Sequence, residues 1–377
     1  YENFGRADAI IAFPDADPVH LLTLLAEAEV GHPLIQQKSQ CSKITSPADI
    51  HRKPIIFYGA TEEWKSFRRQ LSEMESQGLT RQSFDHHVHY SESVTELEAF
   101  LHENLPEQIP STRLHYYAHT KKGSELFLDV DEDVRPPAFI TVSFFGSAST
   151  RRKDHLERTD AAARMCARKG WNILHGGGDG GVMKQLSVSG SKAKAYVLGI
   201  SVDGSGAPVI TFERDLKSGR PSDIDHFVES KDMLHRIETY AGHSEAFVAL
   251  DGGIGSLQEV YVIAELLSKN HPVVTYETAD GDRVPKPLFL VNEGGIYTPV
   301  LEYLKERGLD YLQEQMQVVE SLDELQRGLE KAFQHHPPLP KDIREKGRFR
   351  DRYFDVIHPT TQRLLREPDF KRKLPAL

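Results

Sequence analysis

The hydrophobic pattern of the chain is clearest from Phe139 onward, where short β-rich apolar runs alternate with amphipathic stretches. That alternation predicts a parallel sheet covered by helices. The predicted strands are Phe139 to Phe145, Trp171 to Leu174, Val197 to Val202, Phe247 to Leu250, Pro287 to Val291 and Met316 to Val319. Between the first two, Asp154 to Lys169 is rich in Ala, Arg and Leu and is followed by Gly170, a helix with a glycine C-cap. The last helix opens with Ser321 and Glu324, spaced as a capping box in which each side chain satisfies a backbone N–H of the other. The expected fold class is α/β, a Rossmann-like parallel sheet with helices on both faces.

The first hundred residues repeat the second half of this pattern. "ADAIIAFPDADP" (Ala7 to Pro18) matches "SEAFVALDGGIG" (Ser244 to Gly255), and "LLTLLAEAEVGHP" (Leu21 to Pro33) matches "VYVIAELLSKNHP" (Val260 to Pro272). "KPIIFY" matches "KPLFLV", and Ser93 with Glu96 repeats the cap formed by Ser321 and Glu324. Ala9 thus aligns with Ala246 and Lys53 with Lys286, so only small changes of loop length separate the copies. The chain is expected to hold a degenerate partial copy at 1–105, a linker at 106–137, a complete domain at 138–333 and a tail at 334–377. Pro106, Pro110, Pro136, Pro137 and the acidic run Asp129 to Asp133 mark the linker as exposed and irregular. In the tail Lys and Arg outnumber the acids, which points to a solvated face or a partner contact and not to catalysis. Half a parallel sheet leaves a strand edge and apolar surface bare. Its cover is expected from a segment before Tyr1, a separate cleaved chain held in the complex, a neighbouring chain, or the linker around Leu114 to Leu128. The start at Tyr1 in place of Met favours a missing segment.

At 377 residues two domains are expected in any case. An apolar fraction of 39% and a charged fraction of 27%, with no apolar run long enough to cross a bilayer, describe a soluble globular chain with no membrane partner. A net charge of -10 gives no general attraction for nucleic-acid phosphates. Cys41 and Cys166 are the only cysteines, one in each half, which suits a reducing compartment and a cytoplasmic location.

Three glycine clusters follow predicted strand ends: "FFGSAS" at Phe144 to Ser149, "HGGGDGGVM" at His175 to Met183 and "DGGIGSLQE" at Asp251 to Glu259. Glycine permits tight turns and brings backbone N–H groups close to an anion, and a following helix aims its positive end at the same place. One such turn is commonplace; three in one sheet point to a phosphate. The Walker lysine and the G-x-G-x-x-G spacing are both absent, so ATP hydrolysis and hydride transfer lose support. Ser256 can N-cap its helix and donate to a phosphate oxygen. Glu259 then has two possible roles. It is either the acid of a Ser-x-x-Glu capping box, or a carboxylate facing a ribose that helps water attack the anomeric carbon. Arg236 in "KDMLHRIETY" is either a surface arginine or a guanidinium that holds a phosphate or leaving base and positions Glu259. His175 and His235 sit beside these motifs, but the 18 histidines have no metal-ligand spacing, and no metal is expected.

"GGGDGGVM", "DMLHR" and "DGGIGSLQE", in that order, resemble the LOG (Lonely Guy) family, often mislabelled lysine decarboxylase, whose paired motifs are "GGGxxGxM" and "PGGxGTxxE" with an Arg-bearing helix between them. The resemblance covers Phe139 to Phe333. It implies a phosphoribohydrolase that releases a free base and ribose 5-phosphate from a nucleoside 5'-monophosphate, without cofactor or metal, and that works as a dimer. By position Arg236 and Glu259 match the family's catalytic pair, and Gly252, Gly253, Gly255 and Ser256 its phosphate loop. Ile254 within that loop, Gly146 and Ser147, Gly177 and Gly178, and Met233 complete the expected substrate site. Asp251 stands where the motif has proline, placing a negative charge beside the phosphate loop, and Ser256 replaces threonine. Ile237 stands where plant-type members have lysine, which makes the bacterial-type nucleotide nucleosidases the closer analogy. In the first copy "PDADPVHLL" replaces "DGGIGSLQE", so that copy is expected to be inert, either an internal dimer partner or a regulatory element. The alternative to an enzyme is a module of the same fold that binds a nucleotide without cleaving it. Assembly is expected as a homo-oligomer or an internal pseudo-dimer.

Overall fold

The computed structural model describes residues 9–22, 24–26, 54–80, 88–104, 140–178, 180–202, 224, 226–230, 233–277 and 283–334. The expected linker, the tail beyond Gln334, Cys41 and the chain start lie outside these residues.

In the second half, β4 (Thr141–Phe145), β5 (Asn172–His175), β6 (Val197–Val202), β7 (His226–Ser230), β8 (Ala246–Ala249), β11 (Leu288–Val291) and β12 (Met316–Val319) form one sheet in the order β12-β11-β8-β4-β5-β6-β7. Every neighbouring pair is parallel. Burial on both faces explains the continuous apolar runs read from the sequence. Val142 and Phe144 face one core, with Cys166 and Leu325, while Phe145 faces the other, with Tyr240 and Leu257. A small antiparallel pair, β9 (Thr275–Glu277) and β10 (Arg283–Pro285), stands apart. The helices of this half are α3 (Lys153–Lys169), α4 (Gly181–Ala193), α5 (Met233–His243), α6 (Ile254–Ser268), α7 (Thr298–Glu306), α8 (Asp310–Gln313) and α9 (Leu322–Phe333). Gly170 ends α3 in the left-handed conformation, and Ser321 caps α9 through Glu324 N–H at 3.2 Å. Strand order reverses at the β4/β8 junction, and ligands in such sheets bind in the crevice outside the strand C-termini there. The first and third glycine clusters follow β4 and β8.

The N-terminal half folds as β1 (Ile10–Ala12), β2 (Ile55–Tyr58) and β3 (Val88–Ser91), parallel and in that order, with α1 (Lys65–Ser76) after β2 and α2 (Val94–Asn104) after β3. A helical stretch over 18–22 and 24–26 follows β1. This is the order β8-β11-β12 repeated, a degenerate second-half copy of the same fold. Its closing cap repeats too: Glu96 N–H donates to Ser93 Oγ at 3.2 Å, and Glu92 N–H to Glu96 Oε2 at 3.0 Å. The corresponding bonds at α9 are 3.2 Å and 2.8 Å.

The two halves share one apolar core. Phe67 of α1 stands 5.3 Å from Tyr303 of α7, ring centre to ring centre, and Arg69 pairs with Glu302 at 2.6 Å. Helix α6 is buried on nearly its whole circumference, since only Gly255, Glu265 and Ser268 are not buried. A helix buried all round in this way is covered outside as well as by the sheet. No helix among the described residues is long and apolar enough to cross a membrane.

Candidate active site

The three glycine loops are tied together by Ser147. Its N–H donates to the Asp251 carbonyl at 2.9 Å, and its own carbonyl accepts from Val182 N–H at 2.8 Å. Its hydroxyl accepts from Ser149 and Thr150 N–H at 3.0 and 3.2 Å and donates to the Leu79 carbonyl at 2.8 Å. The proton and both acceptor positions of the hydroxyl are therefore taken. Gly146 packs on Val182 so closely that a Cβ would collide with it, which explains the glycine after β4. In the second loop Gly177 has φ 65° and donates its N–H to His175 Nδ1 at 3.1 Å. His175 is fully buried, and burial together with the Arg236 charge lowers its pKa to about 3, so the ring is neutral. With Nδ1 accepting, Nε2 carries the proton and donates to Ser187 Oγ at 2.9 Å. His175 is thus a loop support and no acid or base. Gly178 packs against the Met183 methyl.

The third loop opens α6. Gly253 is the N-cap residue, so Ser256 lies inside the first turn. The expectation that Ser256 caps the helix is corrected, because the loop tightens at Gly252 and Gly253, and the chain is already helical by Ile254. The capping-box role of Glu259 falls with it, since Glu259 lies a further turn along and faces Arg236, with Oε1 3.5 Å from Nη2. Gly252 N–H donates to the Tyr297 hydroxyl at 3.2 Å, and that hydroxyl donates to the Leu250 carbonyl. A Cβ on Gly252 would strike Ser256 and Tyr297, and one on Gly253 would strike the Leu79 carbonyl oxygen, whereas Gly255 faces open space.

Arg236 is a half-buried residue of α5. Its Nε donates to the Ile200 carbonyl at 3.2 Å, its Nη2 donates to Tyr240 Oη at 3.1 Å, and the guanidinium carbon stands 5.4 Å from the centre of the Tyr240 ring. A Cβ on Gly176 would collide with Arg236 Nη2 and with Met183 Sδ, so the first glycine of the second cluster leaves room for the guanidinium. Glu259 is 5% exposed, and burial pushes its carboxyl up to about 7 against the opposing pull of Arg236. Met233 begins α5, and its side chain lies outside the described residues. Ile237, one residue beyond Arg236, is 1% exposed in the core and does not reach the crevice.

The Asp251 carboxylate turns away from the phosphate loop. It takes a hydrogen bond from Arg158 of α3 and lies 3.7 Å from His155 Nε2, while Arg158 Nε stands 3.2 Å from Glu293 Oε2. The negative charge expected beside the Gly252 to Ser256 loop is thus paired with Arg158. Arg158, His155, Tyr297 and Leu79 are the site residues that sequence reasoning missed. Only Arg158 left a trace, as a basic residue on the helix after the first glycine loop. Among the described residues no group of three or more His, Cys, Asp or Glu could hold a metal.

Glycine loops at a topological switch point, with half-buried Arg236 and buried Glu259 beside them, are set on a Rossmann-like domain. Residues 139–288 of the chain match the SLOG cluster4 family. The chain is similar to the Arabidopsis thaliana cytokinin riboside 5'-monophosphate phosphoribohydrolase LOG5, 29% identical over 163 residues, 43% of this chain and 61% of that one. The Mycobacterium marinum cytokinin riboside 5'-monophosphate phosphoribohydrolase is 26% identical over 124 residues, 33% of this chain and 62% of that one. The match therefore spans about three fifths of the length of these relatives. Among solved structures, the molybdenum cofactor carrier protein of Chlamydomonas reinhardtii aligns with TM-score 0.37 and 16% identity over 52% of this chain and 98% of that one, too loosely to bear on function.

Proposed function

We propose that the chain hydrolyses the N-glycosidic bond of a nucleoside 5'-monophosphate, giving a free base and ribose 5-phosphate. The observation that carries this reading is the pairing of half-buried Arg236 with buried Glu259 beside the N-terminus of α6. The α6 amides at Ile254, Gly255 and Ser256, with the Ser256 hydroxyl, hold the phosphate. That places the anomeric carbon toward Glu259, one turn along the helix. Ionised Glu259 takes a proton from water as its oxygen bonds to the anomeric carbon. The glycosidic C–N bond breaks, and its electron pair leaves on the base nitrogen, which takes a proton from solvent. Glu259 then returns its proton to solvent. Arg236 holds the carboxylate in place, and its positive charge keeps part of the Glu259 population ionised near neutral pH.

Incubation with AMP, GMP, CMP, UMP and a cytokinin ribotide, followed by chromatography for free base, tests the reading. Release from at least one is expected, with a rate that rises as pH passes about 7, where Glu259 ionises. Base from none of them overturns the hydrolase. Calorimetric binding of an unchanged nucleotide would then select the non-cleaving module of the same fold.

A further inference from the structure

Helix α1 ends in a glycine-terminated cap. Gly78 has φ 68°, its N–H donates to the Glu75 carbonyl at 2.9 Å, and Leu79 N–H reaches back to the Met74 carbonyl at 2.9 Å. This pairing fixes the direction of the following carbonyl, and the apolar contact that accompanies such caps is supplied by Met74 and Leu79, both buried. The Leu79 carbonyl thereby enters the crevice of the other half. It accepts the Ser147 hydroxyl and sits over Gly253, while Gln77 beside it accepts from Arg152.

We propose that this turn of the degenerate copy, Gln77 to Leu79, is a fixed wall of the nucleotide site and a positioning element for its phosphate loop. The proposal rests on the hydrolase reading only for the identity of the ligand. Three observations favour a wall over a removable plug. Leu79 is 2% exposed inside a core common to both halves, so withdrawing it would expose apolar surface. The Ser147 hydroxyl has no bonding capacity left for a ligand while the turn is docked, so it acts by joining the first loop to the turn. Nothing stands within 4 Å of where a Cβ on Gly255 would be, so the docked turn leaves the Gly255 side of the α6 N-terminus uncovered. Ser147, expected from sequence to touch substrate, is in this account a positioning residue.

The test is hydrogen exchange at the amides of residues 77–80 in the full chain, with and without AMP or ribose 5-phosphate, beside affinity and kinetics of Ser147→Ala. A wall predicts protection in the free protein that ligand leaves equal or raises. Ser147→Ala should speed exchange at 77–80 before ligand is added and weaken AMP binding about tenfold. KM should rise and kcat stay near the wild-type value, because neither Arg236 nor Glu259 is bonded to the turn. Faster exchange at 77–80 on adding AMP would show a plug and overturn the proposal, as would wild-type affinity in Ser147→Ala. Failure of both probes to bind the wild-type protein would remove the wall together with the site. Binding without base release would sink the hydrolase and leave the wall standing.

Discussion

Glu259 is a carboxyl that burial holds toward its protonated form, and this has opposite consequences for activity and stability. Its folded pKa, about 7, lies above the ordinary 4.5, so the folded state binds this proton more tightly than the unfolded state does. The stability it contributes is complete below about pH 4.5 and is lost as pH rises through 7. Glu259→Gln keeps the size without the charge. It should melt like wild type at pH 5 and above it at pH 8.5, by at most about 3 kcal/mol, while turnover is nearly abolished. Melting curves at the two pH values check this, and a mutant that kept most activity would remove Glu259 from the reacting set. Arg236 invites a less direct test, because the methyl of Gly176→Ala would collide with Nη2. That variant should cut kcat at least tenfold with little change in melting temperature, and wild-type kcat would show that the guanidinium is not needed where it sits. That Arg236 and Glu259 meet beside the glycine loops was expected from the motif resemblance, whereas residue type and spacing alone left each a structural role. Leu79 was not legible, since what it contributes is a backbone carbonyl, and no side chain announces that.

At the scale of elements, the Asp251 side chain binds the C-terminal end of β8 to helix α3. A proline at this position would need no partner, whereas an aspartate 1% exposed needs Arg158. Removing one member of a buried pair leaves the other charge uncompensated, a loss of about 3 to 5 kcal/mol. Arg158→Ala should therefore destabilise by roughly that amount, and Arg158→Ala with Asp251→Asn by clearly less. A double-mutant loss equal to the sum of the Arg158→Ala and Asp251→Asn losses in denaturant melts would mean the pair is not coupled. The strands of the second half could be read because burial on both faces writes a parallel strand as a continuous apolar run. Met316–Val319 and Val197–Val202 have the expected bounds, and α3 begins one residue before Asp154. β7 escaped because His226, Glu229 and Ser230 break its apolar run. The His-Pro and Lys-Pro pairs shared by the matched segments have structural causes in the second copy. His271 accepts from Val273 N–H at 3.3 Å to cap the turn that Pro272 begins, and Lys286, 1% exposed, donates to the Ala241 and Val273 carbonyls at 2.8 and 2.9 Å.

Across the whole molecule the repeat reads as packing. Sequence order and caps were enough to foresee two adjacent parallel strands in the first half, Ala9 to Phe13 and Ile55 to Tyr58, because β-periodicity and capping are local, while β3 was not read. The docking of that half was not legible, because it depends on which faces of α1 and α7 meet. These helices follow corresponding strands, β2 and β11, and pack against each other, as two subunits would in a symmetric dimer. We read the chain as an internal pseudo-dimer in which the degenerate copy, packed through α1 on α7, stands in place of a second subunit. Two outcomes follow from that arrangement. Phe67→Ala, which opens a cavity beneath Tyr303, should cost about 3 to 5 kcal/mol. Because the core is continuous, that loss should lower one common unfolding transition and not a separate N-terminal one. The surface a twin subunit would use is already occupied, so sedimentation across micromolar concentrations should find a single species at the chain mass of 42.6 kDa. A dimer at low micromolar concentration, or an early N-terminal transition in Phe67→Ala that leaves the second half unshifted, would mean that the first copy is an appended domain and not a built-in partner.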